Sequence, residues 1–270
     1  MARIIVITSG KGGVGKTTTT SNIGMSLARL GNSTLLVDAD VGLRNLDLLL
    51  GLENRIIYTG LDVLNEKCRL GQAVIQDKRQ PKLSFLPLSS NRVEIQITSE
   101  QIKELIKLVE VDYDYILIDS PAGIDNGFQT SIECAEEAIV VVTPEVPSIR
   151  DADRVIGLLM SKGIEKINLV INRIRPNMVR TDDMMSIEDV TNILGITLTG
   201  VIPDSEKIII ASNRGEPIVL EDKNCLPGIA FDNTARRLTG EEVDFLNLDN
   251  LSVKNPVKRI IRKLINRPNS

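Results

Sequence analysis

Histidine and tryptophan are both absent from the 270-residue chain, and only 3% of its residues are aromatic. Without histidine, neither general base catalysis by an imidazole nor a His-ligated zinc site is possible, which leaves carboxylates and Mg²⁺ for any hydrolytic chemistry. The three cysteines, Cys68, Cys134 and Cys225, are odd in number and widely spaced. They cannot form a CxxC metal or redox pair, so we expect three reduced thiols.

Long apolar runs are also missing, since no run reaches the roughly 18 residues that a membrane-spanning helix needs. The chain starts directly in its first predicted strand, and we therefore expect no signal or transit peptide. Strand and helix patterns alternate from Arg3 to about Leu220 without a Pro/Ser-rich linker. This alternation predicts a single α/β domain over residues 1–240, with a mostly parallel twisted sheet flanked by helices on both faces.

Residues 10–17 read Gly-Lys-Gly-Gly-Val-Gly-Lys-Thr, which fits the phosphate-binding pattern G-x-x-x-x-G-K-[ST] of P-loop NTPases. The glycines let successive backbone N–H groups converge on the α- and β-phosphates. The pattern assigns the β/γ oxygens to Lys16 and the Mg²⁺ ion to Thr17. The alternative is that this glycine pattern arose by chance, in which case the flanking sequence should not have the strand and helix patterns of a P-loop.

The flanking sequence agrees with a P-loop. Residues Arg3–Thr8 include four consecutive β-branched residues, typical of a strand buried on both faces. After the loop, Ile23, Leu27 and Leu30 have helical spacing on a helix that we expect to stop at Gly31. Strand, glycine loop and helix therefore occur in the required order, with the positive end of the helix dipole at the phosphates.

Carboxylates follow two further predicted strands. The segment 34–40 ends in Asp38 and Asp40, and the strand over Tyr115–Ile118 is followed by Asp119. Parallel α/β sheets bind ligands at the carboxyl ends of their strands, which would place these acids at the nucleotide. An aspartate after an apolar strand is also the arrangement that holds the Mg²⁺ shell in P-loop enzymes. The alternative for each aspartate is a turn or N-cap residue.

The second lysine of the loop, Lys11, is not needed to bind phosphates. Alone, it would be a solvated loop charge. The sequence KGGVGKT, however, resembles the deviant Walker A motif of the SIMIBI-class ATPases, which include partition ATPases and the nitrogenase iron protein. In that class the first lysine crosses a dimer interface to the phosphates of the other subunit. The resemblance implies that ATP drives homodimerisation through Lys11.

Four further segments extend the resemblance to the MinD/ParA family, and within it to the members that position the division site. They are VDADVGLRNLDLLLG, DSPAGI, TPEVPSIRDADR and ASNRGEPI. The resemblance implies that Asp40 orients the attacking water, that Asp119 serves Mg²⁺ and that residues 119–127 sense the γ-phosphate. It also implies that Asn172, after a strand over residues 167–171, contacts adenine. Catalytic roles then belong to Lys11, Lys16 and Asp40, and the metal to Thr17 and Asp119. The implied nucleotide-binding residues are Gly10, Lys11, Gly12, Gly13, Val14, Gly15, Lys16, Thr17, Thr18 and Asn172.

The C-terminal tail is basic, whereas the rest of the chain is acidic. The last 18 residues carry six basic side chains and no acidic one, which leaves 26 basic against 36 acidic residues elsewhere. Residues 241–255 are predicted to be a polar connector and 256–267 an amphipathic helix. Its apolar stripe comprises Val257, Ile260, Ile261, Leu264 and Ile265. The helix could lie on an anionic membrane, dock on the domain or bind nucleic acid; the resemblance favours the membrane.

Three functions remain open from the residues. The resemblance implies a Mg²⁺-dependent ATPase that positions a division site, with a MinC-like inhibitor, a MinE-like activator and no nucleic acid as ligand. It would work in a bacterial cytoplasm or a plastid stroma and at the adjacent membrane. A DNA-partition ATPase would need a surface that attracts nucleic acid, which the acidic body does not offer. An ATP-dependent ligase of the dethiobiotin synthetase type would need a substrate pocket that the sequence does not indicate.

Overall fold

The computed structural model describes residues 1–41, 44–89, 97–221 and 224–247. Eight strands within these ranges form one sheet in the order β3-β4-β2-β5-β1-β6-β7-β8. The strands are β1 (Arg3–Thr8), β2 (Thr34–Asp38), β3 (Ile75–Gln76), β4 (Leu83–Pro87), β5 (Tyr115–Asp119), β6 (Glu137–Val142), β7 (Lys166–Ile174) and β8 (Thr197–Pro203). All neighbours are parallel except the edge pair of β3 and β4. The predicted fold class is confirmed.

Helices cover both faces of this sheet. They are α1 (Lys16–Arg29), α2 (Leu46–Leu50), α3 (Gly60–Leu64), α4 (Leu70–Ala73), α5 (Ser99–Val109), α6 (Asn126–Ile132), α7 (Val146–Ser161), α8 (Pro176–Arg180), α9 (Ile187–Leu194), α10 (Glu206–Asn213) and α11 (Leu226–Leu238). Alternate side chains of β1 enter opposite cores: Ile4 packs with residues of α5 and α7, whereas Ile5 packs with residues of α1 and α11. Burial on both faces explains why the central strands are apolar without alternation.

Helix α1 differs from the sequence prediction at its end. Ile23 and Leu27 are fully buried as expected, but Leu30 lies just beyond the helix as its cap and is 43% exposed. Gly31 follows with a φ of 96°, a left-handed conformation that an L side chain rarely adopts. The helix therefore ends one residue earlier than its apolar spacing suggests.

Central strands are joined at their N-terminal edge by a partly buried ion-pair network around the buried Glu137 carboxylate. Arg3 at the start of β1 donates two hydrogen bonds to the Glu137 carboxylate, at 2.8 and 2.7 Å, and Lys166 donates a third at 2.9 Å. Burial alone would raise the pKa of Glu137, but the hydrogen bonds from Arg3 and Lys166 hold it below its usual value. The network joins β1, β6 and β7 at the edge opposite the predicted phosphate loop.

We expect Glu137→Gln to lower the free energy of unfolding by about 1–3 kcal/mol at pH 7. Because the pKa is lowered in the folded state, this stabilisation is present above the ordinary value of 4.5 and is lost as the pH falls through the folded-state pKa. Denaturant titrations at pH 7 and pH 3 should therefore show a difference that shrinks in acid. The exposed Glu165→Gln is the control, and an equal loss for both variants would contradict this interpretation.

The predicted connector follows α11, which ends at Leu238. Its described part, residues 241–247, has no helix or strand and is held by Arg237, which donates to the carbonyl oxygens of Val243 and Asp244 at 2.7 Å each. The guanidinium also stacks on Phe245, 3.8 Å from the ring centroid. The predicted amphipathic helix over 256–267 lies outside the described residues. Among the helices that the structure describes, none is long and apolar enough to cross a membrane.

Candidate nucleotide-binding site

The glycine loop leaves β1 at the centre of the sheet and enters α1. Gly13 and Gly15 have φ values of 79° and 98°, so both require a residue without a β-carbon. A β-carbon at Gly15 would also collide with the Asn172 amide, and one at Gly10 would collide with the backbone of Asp151. The loop therefore fits closely between β7 and α7, and its own backbone lines the space where phosphates are expected.

Side chains of the loop differ in exposure in a way that separates its two lysines. Lys16 is the first residue of α1 and only 8% exposed, whereas Lys11, Gly12 and Gly13 are exposed. Burial lowers the pKa of Lys16, while the nearby carboxylates of Asp119 and Asp40 partly offset this effect. Lys16 thus belongs to the interior of one chain, and Lys11 is available to an outside ligand or partner.

The other residues of the loop also differ in burial. Val14 is buried beneath the loop, where its carbonyl oxygen meets β7, and Thr17 and Thr18 are half-buried on the first turn of α1. The Ser9 hydroxyl donates to the Lys11 carbonyl oxygen at 2.7 Å. A hydrogen bond within the loop thus holds the backbone at the exposed lysine.

Asp38 and Asp119 end the neighbouring strands β2 and β5 and lie directly opposite each other in register. Both are nearly inaccessible, at 2% and 1% exposure. Burial raises the pKa of Asp119 to about 6, against the opposing effects of Thr17 and Lys16. Burial, and then the charge of Asp119, raise the pKa of Asp38 well above its usual range. This crowding of carboxylates at the loop is an environment suited to a cation.

Asp40 lies two residues beyond the end of β2 and is partly exposed. Its backbone N–H donates to Asp38 Oδ1 at 3.0 Å, and the Leu46 N–H donates to Asp38 Oδ2 at 3.3 Å. The buried carboxylate therefore ties together both ends of the segment that carries Asp40. The sequence indicated that Asp38 faces the nucleotide, and the structure gives it this additional backbone role.

Asn172 does not follow its strand, contrary to the sequence prediction. β7 continues to Ile174 because its backbone goes on pairing with β8, through an irregular register that ends at Ile174 and Pro203. The buried Asn172 side chain reaches the loop, where Nδ2 donates to the Val14 carbonyl oxygen at 2.8 Å. Its Oδ1 atom has no hydrogen-bond partner among the described residues. The structure thus brings Asn172 to the nucleotide loop and leaves it one unused acceptor.

Two contacts at the site had no signal in the sequence. The Thr20 hydroxyl donates to Asp119 Oδ1 at 3.0 Å and also to the Lys16 carbonyl oxygen at 3.1 Å, which links α1 to the end of β5. Helix α7 starts at Val146, and its Asp151 backbone packs on Gly10. Pro147 in the first turn of α7 is typical of a helix start, but it does not indicate that this helix packs on the loop.

Open cavities lie at the same edge of the sheet, beyond the ends of β7 and β8. One, of about 200 Å³, is lined by Pro176, Asn177, Pro203, Asp204, Ser205, Leu226 and Pro227. A larger one, of about 560 Å³, is bordered by Arg173, which follows Asn172. Ligands of parallel α/β sheets bind at this edge, but the residues that line these two cavities do not include the glycine loop.

Comparison with known proteins agrees with this geometry. Residues 5–218 match the family model of the CobQ/CobB/MinD/ParA nucleotide binding domain. The chain is 66% identical over 267 residues to a septum site-determining protein MinD of Emiliania huxleyi, covering 99% of this chain and 98% of that protein. It is 53% identical to MinD of Synechocystis sp., covering 98% and 99% of the two chains. The match extends over nearly the whole sequence in both cases.

Solved structures give the same result. A MinC:MinD cell division protein complex of Aquifex aeolicus contains a chain with a TM-score of 0.85 and 48% identity, covering 91% of this chain and 99% of that one. MinD of Pyrococcus horikoshii, complexed with Mg-ADP, has a TM-score of 0.79 and 29% identity, covering 94% and 100%. The glycine loop, the buried carboxylates and these likenesses agree, and the chain belongs to the MinD family of septum site-determining proteins.

Proposed function

We propose that this chain is an ATPase that dimerises when it binds ATP, associates with the membrane as a dimer and returns to solution after hydrolysis. The observation that carries the proposal is the different burial of the two lysines in one loop. Lys16 is buried beside Asp119, whereas Lys11 is exposed eight residues after the start of β1. One lysine is therefore placed to hold a bound phosphate, and the other is free to reach a second subunit.

The residues fit a nucleoside triphosphate. The loop backbone and the N-terminus of α1 provide N–H groups for phosphates, and Lys16 adds a buried positive charge. The Asn172 Oδ1 atom is a hydrogen-bond acceptor without a partner among the described residues, and the exocyclic amino group of adenine could donate to it. Gly15 is required next to Asn172 because any side chain there would displace the amide. These features support ATP as the ligand, as does the Mg-ADP complex of the Pyrococcus relative.

Magnesium would be held jointly by protein and phosphates. The described residues contain no group of three or more Asp, Glu or Cys side chains that could bind a metal ion alone. Mg²⁺ commonly takes only one or two protein ligands and completes its shell with phosphate oxygens and water. The Thr17 hydroxyl and Asp119 would supply the protein side, with Asp119 ionised because a neighbouring cation favours its carboxylate.

Hydrolysis needs a water molecule placed in line with the γ-phosphate. ATP would supply the phosphoanhydride bond, and Mg²⁺ would neutralise part of the phosphate charge. Water would replace ADP as the group bonded to the γ-phosphorus. Asp40 would orient that water and accept its proton. It lies beside the buried Asp38 and Asp119 yet is itself partly exposed, so solvent can reach it. Residues 119–127, which connect β5 to α6, would respond to the presence of the γ-phosphate.

Membrane association would come from the tail. Its predicted stripe of Val257, Ile260, Ile261, Leu264 and Ile265 would enter the acyl boundary, and its basic residues would contact anionic headgroups. Five aliphatic side chains give reversible binding by one tail, since ordering the segment offsets much of the burial. Two tails on one dimer gain roughly 10² to 10⁴ in avidity. Assembly with ATP would thereby control the location of the protein.

Partners would include a MinC-like inhibitor and a MinE-like activator. The inhibitor is supported by the MinC:MinD complex of Aquifex aeolicus, which contains a chain 48% identical to this one. Helix α7 is a candidate surface because Asp153 is exposed on it while the Asp151 backbone packs on the nucleotide loop. A partner bound there would lie next to Gly10. We further propose a bacterial cytoplasm or a plastid stroma, and the adjacent membrane, as its location.

The test of this function separates nucleotide binding from hydrolysis. We expect Asp40→Ala to retain ATP affinity and the ATP-dependent dimer but to slow single-turnover hydrolysis at least about a hundredfold, because positioning of a nucleophile is worth this much. Asp112→Ala is the control, since it removes an exposed carboxylate before the start of β5, at the edge of the sheet opposite the loop. Hydrolysis by Asp40→Ala as fast as by the wild-type protein would refute the role of Asp40.

A further inference from the structure

We propose that Arg79 is a positioning residue for ATP hydrolysis, which fixes the helix that follows the Asp40 segment. This inference rests on the proposed ATPase function and concerns α2, which begins six residues after Asp40. α2 has only five residues, too few for a helix to be stable by itself. Its position, and with it the position of Asp40, must therefore be set by contacts at its two ends.

The N-terminal end of α2 is held by Asp38. The Leu46 N–H, at the first helical residue, donates to the same buried carboxylate that accepts from the Asp40 N–H. Leu46 and Leu50 are fully buried and pack in the core cluster that contains α1. These contacts hold the start of the helix and its apolar face, while the backbone carbonyl oxygen of Leu50 at its far end is bonded by another part of the chain.

The C-terminal end of α2 is held by Arg79. Its Nη2 donates to the Leu50 carbonyl oxygen at 2.6 Å, and its Nη1 donates to the Gly215 carbonyl oxygen at 3.0 Å. The guanidinium is oriented by Asp77, which is 1% exposed and accepts from Nε at 3.0 Å and from Nη2 at 2.6 Å. A planar guanidinium can make these contacts together, and a lysine ammonium cannot.

Two glycines allow the joined segments to touch. Gly51 caps α2 with a φ of 62°, and Gly215 lies in the turn after α10 with a φ of 66°. A β-carbon on Gly215 would lie 2.7 Å from Gly51 Cα, and one on Gly51 would lie 2.9 Å from the Gly215 oxygen. Gly215 belongs to the segment ASNRGEPI, which is one of those that carry the resemblance to the family. Its close contact with α2 accounts for this glycine.

The turn at Gly215, to which Arg79 donates, is also bonded to α1 through the residues that follow it. After Gly215 the chain reaches Val219, whose N–H donates to Asn22 Oδ1 at 3.2 Å. The Val219 carbonyl oxygen accepts from Arg29 at 2.6 Å. Asn22 and Arg29 both lie on α1, which begins at Lys16. Arg79 therefore completes a connection, independent of the sheet, between the helix that binds phosphate and the segment that carries Asp40.

Two substitutions break this connection in different ways. Arg79→Lys keeps the charge beside Asp77 but cannot bridge the two carbonyl oxygens, and Gly215→Ala forces α2 away from the turn. We expect either change to slow single-turnover hydrolysis on the order of tenfold or more, because misplacing a catalytic group by about 1 Å has effects of this size. ATP affinity, measured by calorimetry, should remain within about threefold, since neither residue belongs to the phosphate loop.

Each variant has a matched control. Arg55→Lys changes an exposed arginine that donates to the Gln76 carbonyl oxygen at 2.8 Å rather than to Leu50 or Gly215. Gly195→Ala introduces the same backbone strain, because Gly195 has a φ of 62°, but no atom lies within 4 Å of the added β-carbon. Both controls should hydrolyse ATP at the wild-type rate. Melting temperatures of all four variants show whether a slower rate merely follows a loss of folded protein.

Combination with Asp40→Ala distinguishes positioning from general destabilisation. If Arg79 acts through Asp40, Arg79→Lys should slow the Asp40→Ala protein no further, because the residue being positioned is already absent. Additive losses, or wild-type hydrolysis by folded Arg79→Lys and Gly215→Ala, would overturn the inference while leaving the ATPase function intact. A wild-type protein that binds ATP without hydrolysing it would overturn the proposed function and this inference together.

Discussion

Lys16→Ala is expected to weaken ATP binding at least about a hundredfold, which corresponds to about 2.7 kcal/mol. Lys16 is the buried cation at the N-terminus of α1, and charge-assisted contacts to phosphate oxygens are the strongest that the loop can offer. Folding should survive, because removing a partly desolvated ammonium relieves a burial penalty. Calorimetric titration with Mg·ATP measures the affinity, and thermal unfolding without nucleotide measures the fold.

Lys107→Ala provides the control, because it removes the same charge from an exposed position on α5. It should bind ATP as the wild-type protein does. A second consequence concerns Asp119, whose pKa is held down in part by Lys16. In Lys16→Ala that pKa should rise above about 6, which can be followed by titration of the carboxyl signal. ATP affinity within about threefold of wild type would show that Lys16 does not hold the phosphates.

Local sequence determined the structural elements around the glycine loop, which were predicted correctly. β1, the glycine loop and α1 are continuous in the chain, and their apolar spacing and glycine positions specify them without help from elsewhere. The ends of β2 and β5 were located for the same reason, since an apolar run followed by aspartate is a local pattern. Parallel pairing then brings Asp38 and Asp119 together at the carboxyl ends of their strands.

Contacts between distant segments were not predictable in this way. Asn172 reaches the Val14 carbonyl oxygen across 158 positions, and Arg79 reaches Gly215 across 136. β7 passes through Asn172 because β8 continues to pair with it, and a polar residue gives no sign of such pairing. The burial of Asp38 likewise depends on β5 as its neighbour. The pattern of one sequence indicates which face of a helix or strand is buried. The contacts of Asn172, Arg79 and Asp38 depend instead on which helices and strands become neighbours in the fold.

Lys11→Ala and Ile261→Glu are expected to fail at different steps, and the difference tests the coupling of ATP to the membrane. Lys11 is exposed in the single chain, so its loss should leave folding intact. If it reaches the phosphates of a second subunit, Lys11→Ala should largely abolish ATP-dependent dimerisation. Membrane recruitment should then weaken by roughly 10² or more, because a monomer presents one tail instead of two.

Ile261→Glu acts on the predicted tail stripe, outside the described residues, and should leave the ATP-dependent dimer intact while removing it from liposomes. A carboxylate on the apolar stripe must be desolvated and also repels anionic headgroups. Light scattering with Mg·ATP measures assembly, and co-sedimentation with anionic liposomes measures recruitment. The conservative Ile261→Leu should behave as wild type in both assays. A Lys11→Ala protein that dimerises fully would refute the coupling, and undiminished liposome binding by Ile261→Glu would indicate that the tail docks on the domain instead.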